Sequence, residues 1–243
     1  MSPQKYPALT NILFLDIETV SAQARFEELS PSLQKHWKHK VSLMHREEGR
    51  AADELYFERA GMYSEFGKVV CIGVGYFLEG GQDELTLRVK ALRNDNELQL
   101  LLDFKSLVEE RFNPDQLRLC AHNGKEFDFP YLCRRMMINQ TTLPQVLDLR
   151  NKKPWEVEHY DTLEMWKFGD RKHYTSLDLL AAVFGLQSSK GDMDGSQVNT
   201  VYHHQHDLDR IADYCLDDVV VLARLFLKYK LLPDLSDDRV IRL

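Results

Sequence analysis

Two acids spaced to reach a single metal ion stand near the start of the chain, in Asp16-Ile17-Glu18-Thr19. An extended strand turns successive side chains to opposite faces, so Asp16 and Glu18 project the same way. A second acidic stretch, Asn123 to Asp128, lies mid-chain, and a third, Tyr214-Cys215-Leu216-Asp217-Asp218, lies near the end. Counted at about 100° per residue on a helix, Leu208, Ile211, Cys215, Val219, Leu222 and Phe226 form one apolar stripe. Asp218 falls on its edge, with Tyr214 one turn back on the same side, while Asp217 is rotated toward solvent. Asp218 is therefore the acid turned toward the rest of the fold, and Asp128 completes a set of four carboxylates.

Hard divalent cations prefer oxygen ligands, and Mg²⁺ keeps several waters when a few carboxylates and a substrate phosphate bind it. Four converging acids with no Cys or His partner suit Mg²⁺ or Mn²⁺ rather than zinc. Two ions roughly 3.5–4 Å apart activate a water and stabilise the leaving oxygen of a phosphodiester. The remaining requirement is a group to orient that water, and Tyr214 is placed for it.

The elements around these motifs are the ones such a site needs. Ile12-Leu13-Phe14-Leu15 is apolar at every position, the pattern of a strand buried on both faces of a largely parallel sheet. The acid pair then sits at its carboxyl end, where open α/β sheets place ligands. Phe26 through Leu29, Leu33 and Trp37 to Met44 has helical apolar spacing, with Pro31 breaking it near the start. Lys68 to Leu78 reads as a strand, Gly80-Gly81 as a hairpin turn and Leu85 to Val89 as the return. Asn94 to Phe112 is helical with Asn94 as cap, and Leu117 to Ala121 is the next buried strand, leaving through His122-Asn123-Gly124. Further helices follow Asp128, span Thr175 to Phe184 with a stop at Gly185, and carry Tyr214 with Asp218.

Taken together, the motifs resemble those of the DEDD 3′–5′ exonucleases of the ribonuclease H-like superfamily, in the subgroup whose last motif is Tyr-x-x-x-Asp. The wording is closest to the proofreading domains of B-family DNA polymerases. Asn123 through Phe127-Asp128-Phe129-Pro130-Tyr131-Leu132 is similar to their second motif. Asp161 through Ser176-Leu177-Asp178-Leu179-Leu180 to Gly185 resembles the following segment, and Lys190 to Ser196 with Tyr214 to Val219 resembles their close. The resemblance implies an α/β fold: a ribonuclease H-like mixed five-stranded sheet flanked by helices, with a helical insertion at about residues 21–66. It covers nearly the whole chain, so residues 1–243 are expected to be a single, stand-alone exonuclease domain.

The roles that the resemblance implies fall on named positions. Asp16, Glu18 and Asp218 would hold the ion that binds the attacking water, Asp16 and Asp128 the second, and Tyr214 would hydrogen-bond the nucleophile. Thr19, Asn123 and Phe127 match positions that touch the terminal nucleotides of a single strand. The implied activity is two-metal hydrolysis at the 3′ end of single-stranded DNA, releasing nucleoside 5′-monophosphates in repair or proofreading. An RNA 3′-trimming enzyme and a catalytically silent nucleic-acid-binding domain are the alternatives, and no protein partner is implied.

Composition agrees with one domain: 243 residues, 44% hydrophobic, can bury one sizeable core. No apolar run suits a signal peptide or a membrane span, so a cytoplasmic protein with no membrane partner is expected. Cys71, Cys120, Cys133 and Cys215 lie in apolar surroundings without paired spacing, as buried free thiols do. A net charge of −7 argues against long-range steering onto duplex and for a short strand end as target. Positive spots remain at Lys35 to Arg46, Arg134-Arg135, Arg150, Lys152-Lys153 and Arg171-Lys172-His173.

Overall fold

In the computed structural model, the described residues are 9–44, 49–80, 84–170, 174–188 and 193–243, so Arg46, Gly81, Arg171 to His173 and Lys190 lie outside them. The centre is strand β1, Ile12–Ser21. Its Leu13, Leu15 and Ile17 face one layer of helices, and Phe14 faces the other, edge-on to Phe77 and Phe226 at 5.3 and 5.5 Å. Burial on both sides is why the strand is apolar at every position until Asp16.

β2 (Gly67–Glu79) runs antiparallel to β1, and β3 (Leu85–Arg93) antiparallel to β2. β4 (Arg118–Ala121) pairs parallel with β1, and the two-residue β5 (Tyr160–Asp161) parallel with β4. The sheet has six strands, not five, in the order β5-β4-β1-β2-β3-β6. The sixth, β6 (Val240–Arg242), adds parallel to the outer edge of β3. Three residues carry no periodicity of their own, and this strand exists because β3 offers unpaired backbone groups.

The expected insertion after β1 contains α1 (Pro31–Ser42) and α2 (Ala52–Arg59), with Pro31 at the first helical turn and Ser30 capping it. They enclose a core of their own around Trp37, whose indole donates to the Ala52 carbonyl at 2.6 Å and stands edge-on to Tyr56 and Phe66.

α3 (Glu97–Arg111) and α4 (Asp128–Ile138) cover the Leu13 face. The cap of α3 is Asn96, which accepts from Gln99 N, rather than Asn94. The Asn94 side chain instead accepts from Asn96 N, two residues too early to cap the helix. α5 (Thr162–Lys167) and α6 (Leu177–Val183) follow. A single turn, α7 (Val198–Thr200), then winds into a π-turn and on to α8 (Leu208–Tyr229) on the Phe14 face. α8 approaches β2 closely because Gly73 and Gly75 lie beneath it. A β-carbon on Gly73 would meet Cys215 Sγ at 2.7 Å and Val219 Cγ2 at 2.9 Å.

Candidate active site

Asp16 and Glu18 follow Phe14 by two and four residues, so the strand alternation aims both at α8. Glu18 is 7% exposed. Immediately past it the β1–β2 register shifts, Glu18 pairing with Cys71 and Thr19 with Val69. A bulge at this step bends the strand just beyond its acids, a placement common beside active sites.

Burial and then the Asp218 and Asp128 carboxylates push Asp16 well above the ordinary carboxylate range. Burial, Asp16 and Asp218 do the same to Glu18. Asp128, 4% exposed at the first turn of α4, is lifted to about 7 by burial, while backbone N–H groups of Asp128 and Ile17 pull the other way. These mutual effects put the four acids, from β1, α4 and α8, within electrostatic reach of one another. Tyr214 joins them: burial, then Asp218, Glu18 and Asp16, drive its phenol far above the usual range, and it hydrogen-bonds Asp218. A β-carbon on Gly195 would come within 3.9 Å of that hydroxyl, so the loop before α7 closes this side. Asp217 points elsewhere, pairing with Arg242 of β6.

One neighbour corrects the reading of an all-oxygen site. Cys215 Sγ lies 3.4 Å from Asp16 Oδ2, and Asp16, Glu18 and Cys215 bring ligand atoms within 4.8 Å of one another. In the apolar stripe this cysteine reads as plain core, which it also is, packed against Val20, Val70 and Ile211. No Lys or Arg among the described residues forms an ion pair with Asp16, Glu18 or Asp128. Buried carboxylates without a protein cation, arranged so that each raises the others, fit a hard divalent ion as their missing partner.

A fifth acid, Asp161, holds the loop of the second motif. It is 2% exposed and accepts from the backbone N–H groups of Asn123, Lys125, Leu163 and Glu164 at 2.9 to 3.3 Å. That one side chain caps α5 and pins the loop in which Asn123 adopts φ +64°. An acid following a short strand carries no local sign of such a role.

The three residues matched to substrate contact have distinct surroundings. Thr19 Oγ1 donates to Gly61 O at 2.8 Å, and Tyr131 Oη donates to the same carbonyl, tying β1 and α4 to the insertion. Asn123 is half-buried, its backbone N–H donating to Asp161. Phe127 precedes Asp128 and packs on Tyr131, with ring centroids 5.3 Å apart.

Of the positive spots, Arg135 is buried and bonds Glu97 through both Nε and Nη2, at 2.8 and 2.5 Å. Arg150 pairs with Asp148, whereas Arg134 is exposed. Lys38 and Lys40 of α1 lie over the rings of Phe26 and Tyr63. Cys71, Cys120 and Cys215 are buried free thiols, and Cys133 is half-buried.

The fold that positions these acids is ribonuclease H-like, of the kind found in the exonuclease part of family B polymerases. A family B DNA polymerase from the hyperthermophilic archaeon Pyrobaculum calidifontis superposes with a TM-score of 0.52 at 16% identity, over 90% of this chain and 24% of the polymerase. The chain thus spans about a quarter of that polymerase. Residues 62–240 match the family described as predicted 3′–5′ exonucleases related to the exonuclease domain of PolB, and the chain belongs to that family. The matched range begins after Asp16 and Glu18, so the first motif rests on its own geometry. No match is found among curated proteins. Among the described residues, no helix is long and apolar enough to cross a membrane.

Proposed function

We propose that the chain is a divalent-metal-dependent 3′–5′ exonuclease that hydrolyses single-stranded DNA from its 3′ end and releases nucleoside 5′-monophosphates. The observation that carries this reading is the convergence of Asp16, Glu18, Asp128 and Asp218 within electrostatic reach of one another, with no protein cation beside the first three. Asp16, Glu18 and Asp218 would hold one ion, and Asp16 with Asp128 a second. Bound there, Mg²⁺ or Mn²⁺ supplies an activated water and neutralises the leaving oxygen. In the metal-free site, burial and then the carboxylates of Asp218, Glu18 and Asp16 push the Tyr214 phenol above its ordinary range, which favours its protonated form. Its role in this reading is to orient the attacking water by hydrogen bonding. Asp161 fixes the loop that carries Asn123, Phe127 and Asp128, so its part is positioning.

The test follows a 5′-labelled single-stranded DNA and its RNA counterpart with Mg²⁺, with Mn²⁺ and with chelator, beside the Asp16→Ala protein. The expected result is a metal-dependent ladder shortening from the 3′ end of the DNA, absent in the variant. A faster RNA ladder would make the enzyme an RNA trimmer. Intact strands under every condition, with binding retained, would make the chain a silent binding domain.

A further inference from the structure

Tyr174 is a large aromatic residue with 65% of its surface exposed, in ring contact with His122 at the start of the second-motif loop. Phe127 packs on Tyr131, and Tyr214 is drawn in against Asp218. The Tyr174 ring touches His122 edge-on, with centroids 6.1 Å apart and planes at 70°. His122 is itself fixed at both nitrogens, to Thr162 Oγ1 at 2.9 Å and to Thr175 O at 2.8 Å. The tyrosine therefore rides on the same rigid support as Asn123 and the Asp128 loop, and its hydroxyl has no hydrogen-bond partner among the described residues. Burial and then the carboxylates of Asp128, Asp161, Asp218 and Asp16 raise the pKa of that hydroxyl, which accords with a position within electrostatic reach of the acids.

Such a ring has an edge held by protein and surface open to solvent, the arrangement of a stacking platform. Every nucleobase presents a π-face, so a platform of this kind binds a strand end without reading its sequence. We propose that Tyr174 stacks on a base of the bound 3′ end and holds that end over the carboxylates. The proposal rests on the exonuclease reading for its ligand.

The experiment measures binding of a fluorescein-labelled twelve-residue oligothymidine by anisotropy, in Ca²⁺, to the wild type, Tyr174→Phe and Tyr174→Ala. A second oligonucleotide carries abasic sugars at its last two positions. Stacking predicts a Kd about tenfold weaker for Tyr174→Ala on the normal strand, and a Tyr174→Phe value close to wild type. It also predicts that the abasic strand binds the wild type and Tyr174→Ala alike. Because the residue is exposed, melting temperatures should stay within about 2 °C of one another. Equal weakening in Tyr174→Phe would assign the contact to the hydroxyl and overturn stacking. So would equal loss on both strands, or no loss at all. Wild type that shows the stacking pattern but cleaves nothing with Mg²⁺ or Mn²⁺ sinks the hydrolytic reading alone. Wild type that cleaves while binding ignores Tyr174 sinks this one alone.

Discussion

Gly73→Ala is the substitution in which fold and chemistry should fail together. The added methyl would sit 2.7 Å from Cys215 Sγ, 2.9 Å from Val219 Cγ2 and 3.1 Å from the Cys215 carbonyl oxygen. Side chains can turn away, but the carbonyl belongs to the α8 backbone, so the helix itself must retreat. Ordinary contact begins near 3.5 Å, which asks for a retreat of roughly 0.4 Å at that carbonyl. Overpacking of this kind costs about 1–3 kcal/mol, or roughly 3–10 °C in melting temperature for a chain of this length. The same movement carries Tyr214 and Asp218 away from Asp16 and Glu18. A misplacement near 1 Å costs on the order of a hundredfold in rate, so a retreat of about 0.4 Å should cost roughly several-fold. Gly75→Ala is the control: its methyl would meet the side chains of Val219, Val89 and Leu87, at 2.7, 3.2 and 3.6 Å, and no backbone atom. Thermal melting and the turnover number on a labelled single strand should therefore show comparable destabilisation in both variants and a several-fold rate loss only at Gly73. Equal rate losses at equal melting temperature would refute the claim that the approach of α8 sets the site.

Four further outcomes are expected. Asp218→Ala should abolish cleavage while the metal-free protein melts no lower than wild type, since one of several repelling charges has gone. Asp217→Ala loses only an exposed pair with Arg242 and should keep its rate, so a dead Asp217 variant beside an active Asp218 variant would reverse the assignment. Asp128 binds its proton up to about pH 7 in the fold but only to about pH 4 in the unfolded chain, so between these values the folded state holds more protons and metal-free stability falls as pH rises. His159, held down to about 4 by burial, works in the opposite direction over part of that range. The readout is therefore the melting difference between Asp128→Asn and wild type in chelator, which should widen from pH 5 to 8; a constant difference would falsify the raised carboxyl. Glu97→Gln leaves Arg135 charged and buried, which should cost about 3–5 kcal/mol without removing any proposed metal ligand. Loss of folding cooperativity on chemical denaturation, rather than a shifted midpoint, would contradict that simple accounting.

Much of this site was readable before the structure because its main elements carry strong local signals. β1 is buried on both faces and so is apolar until the acids begin. The stripe of α8 singles out Asp218 from Asp217 by angle alone. What stayed hidden depends on partners distant in the chain. Cys215 looks like any other core residue of the stripe until Asp16 is known to lie beside it. Asp161 gives no sign that backbone groups from two segments end on it. β6 is three residues whose pairing is dictated by β3, and Tyr174 is an exposed aromatic with meaning only near the acids.

The contact between Asp16 and Cys215 spans 199 residues of chain, which bears on when the activity can exist. A nascent chain that has emerged only through β5 already carries Asp16, Glu18 and Asp128 but has no α8 to bring Asp218 and Tyr214. On the proposed reading, the metal site therefore cannot form before α8 has been made. Domains fold during translation as their elements appear, so a hydrolase assembled this way stays inert beside the nucleic acids of the ribosome until its final helix docks.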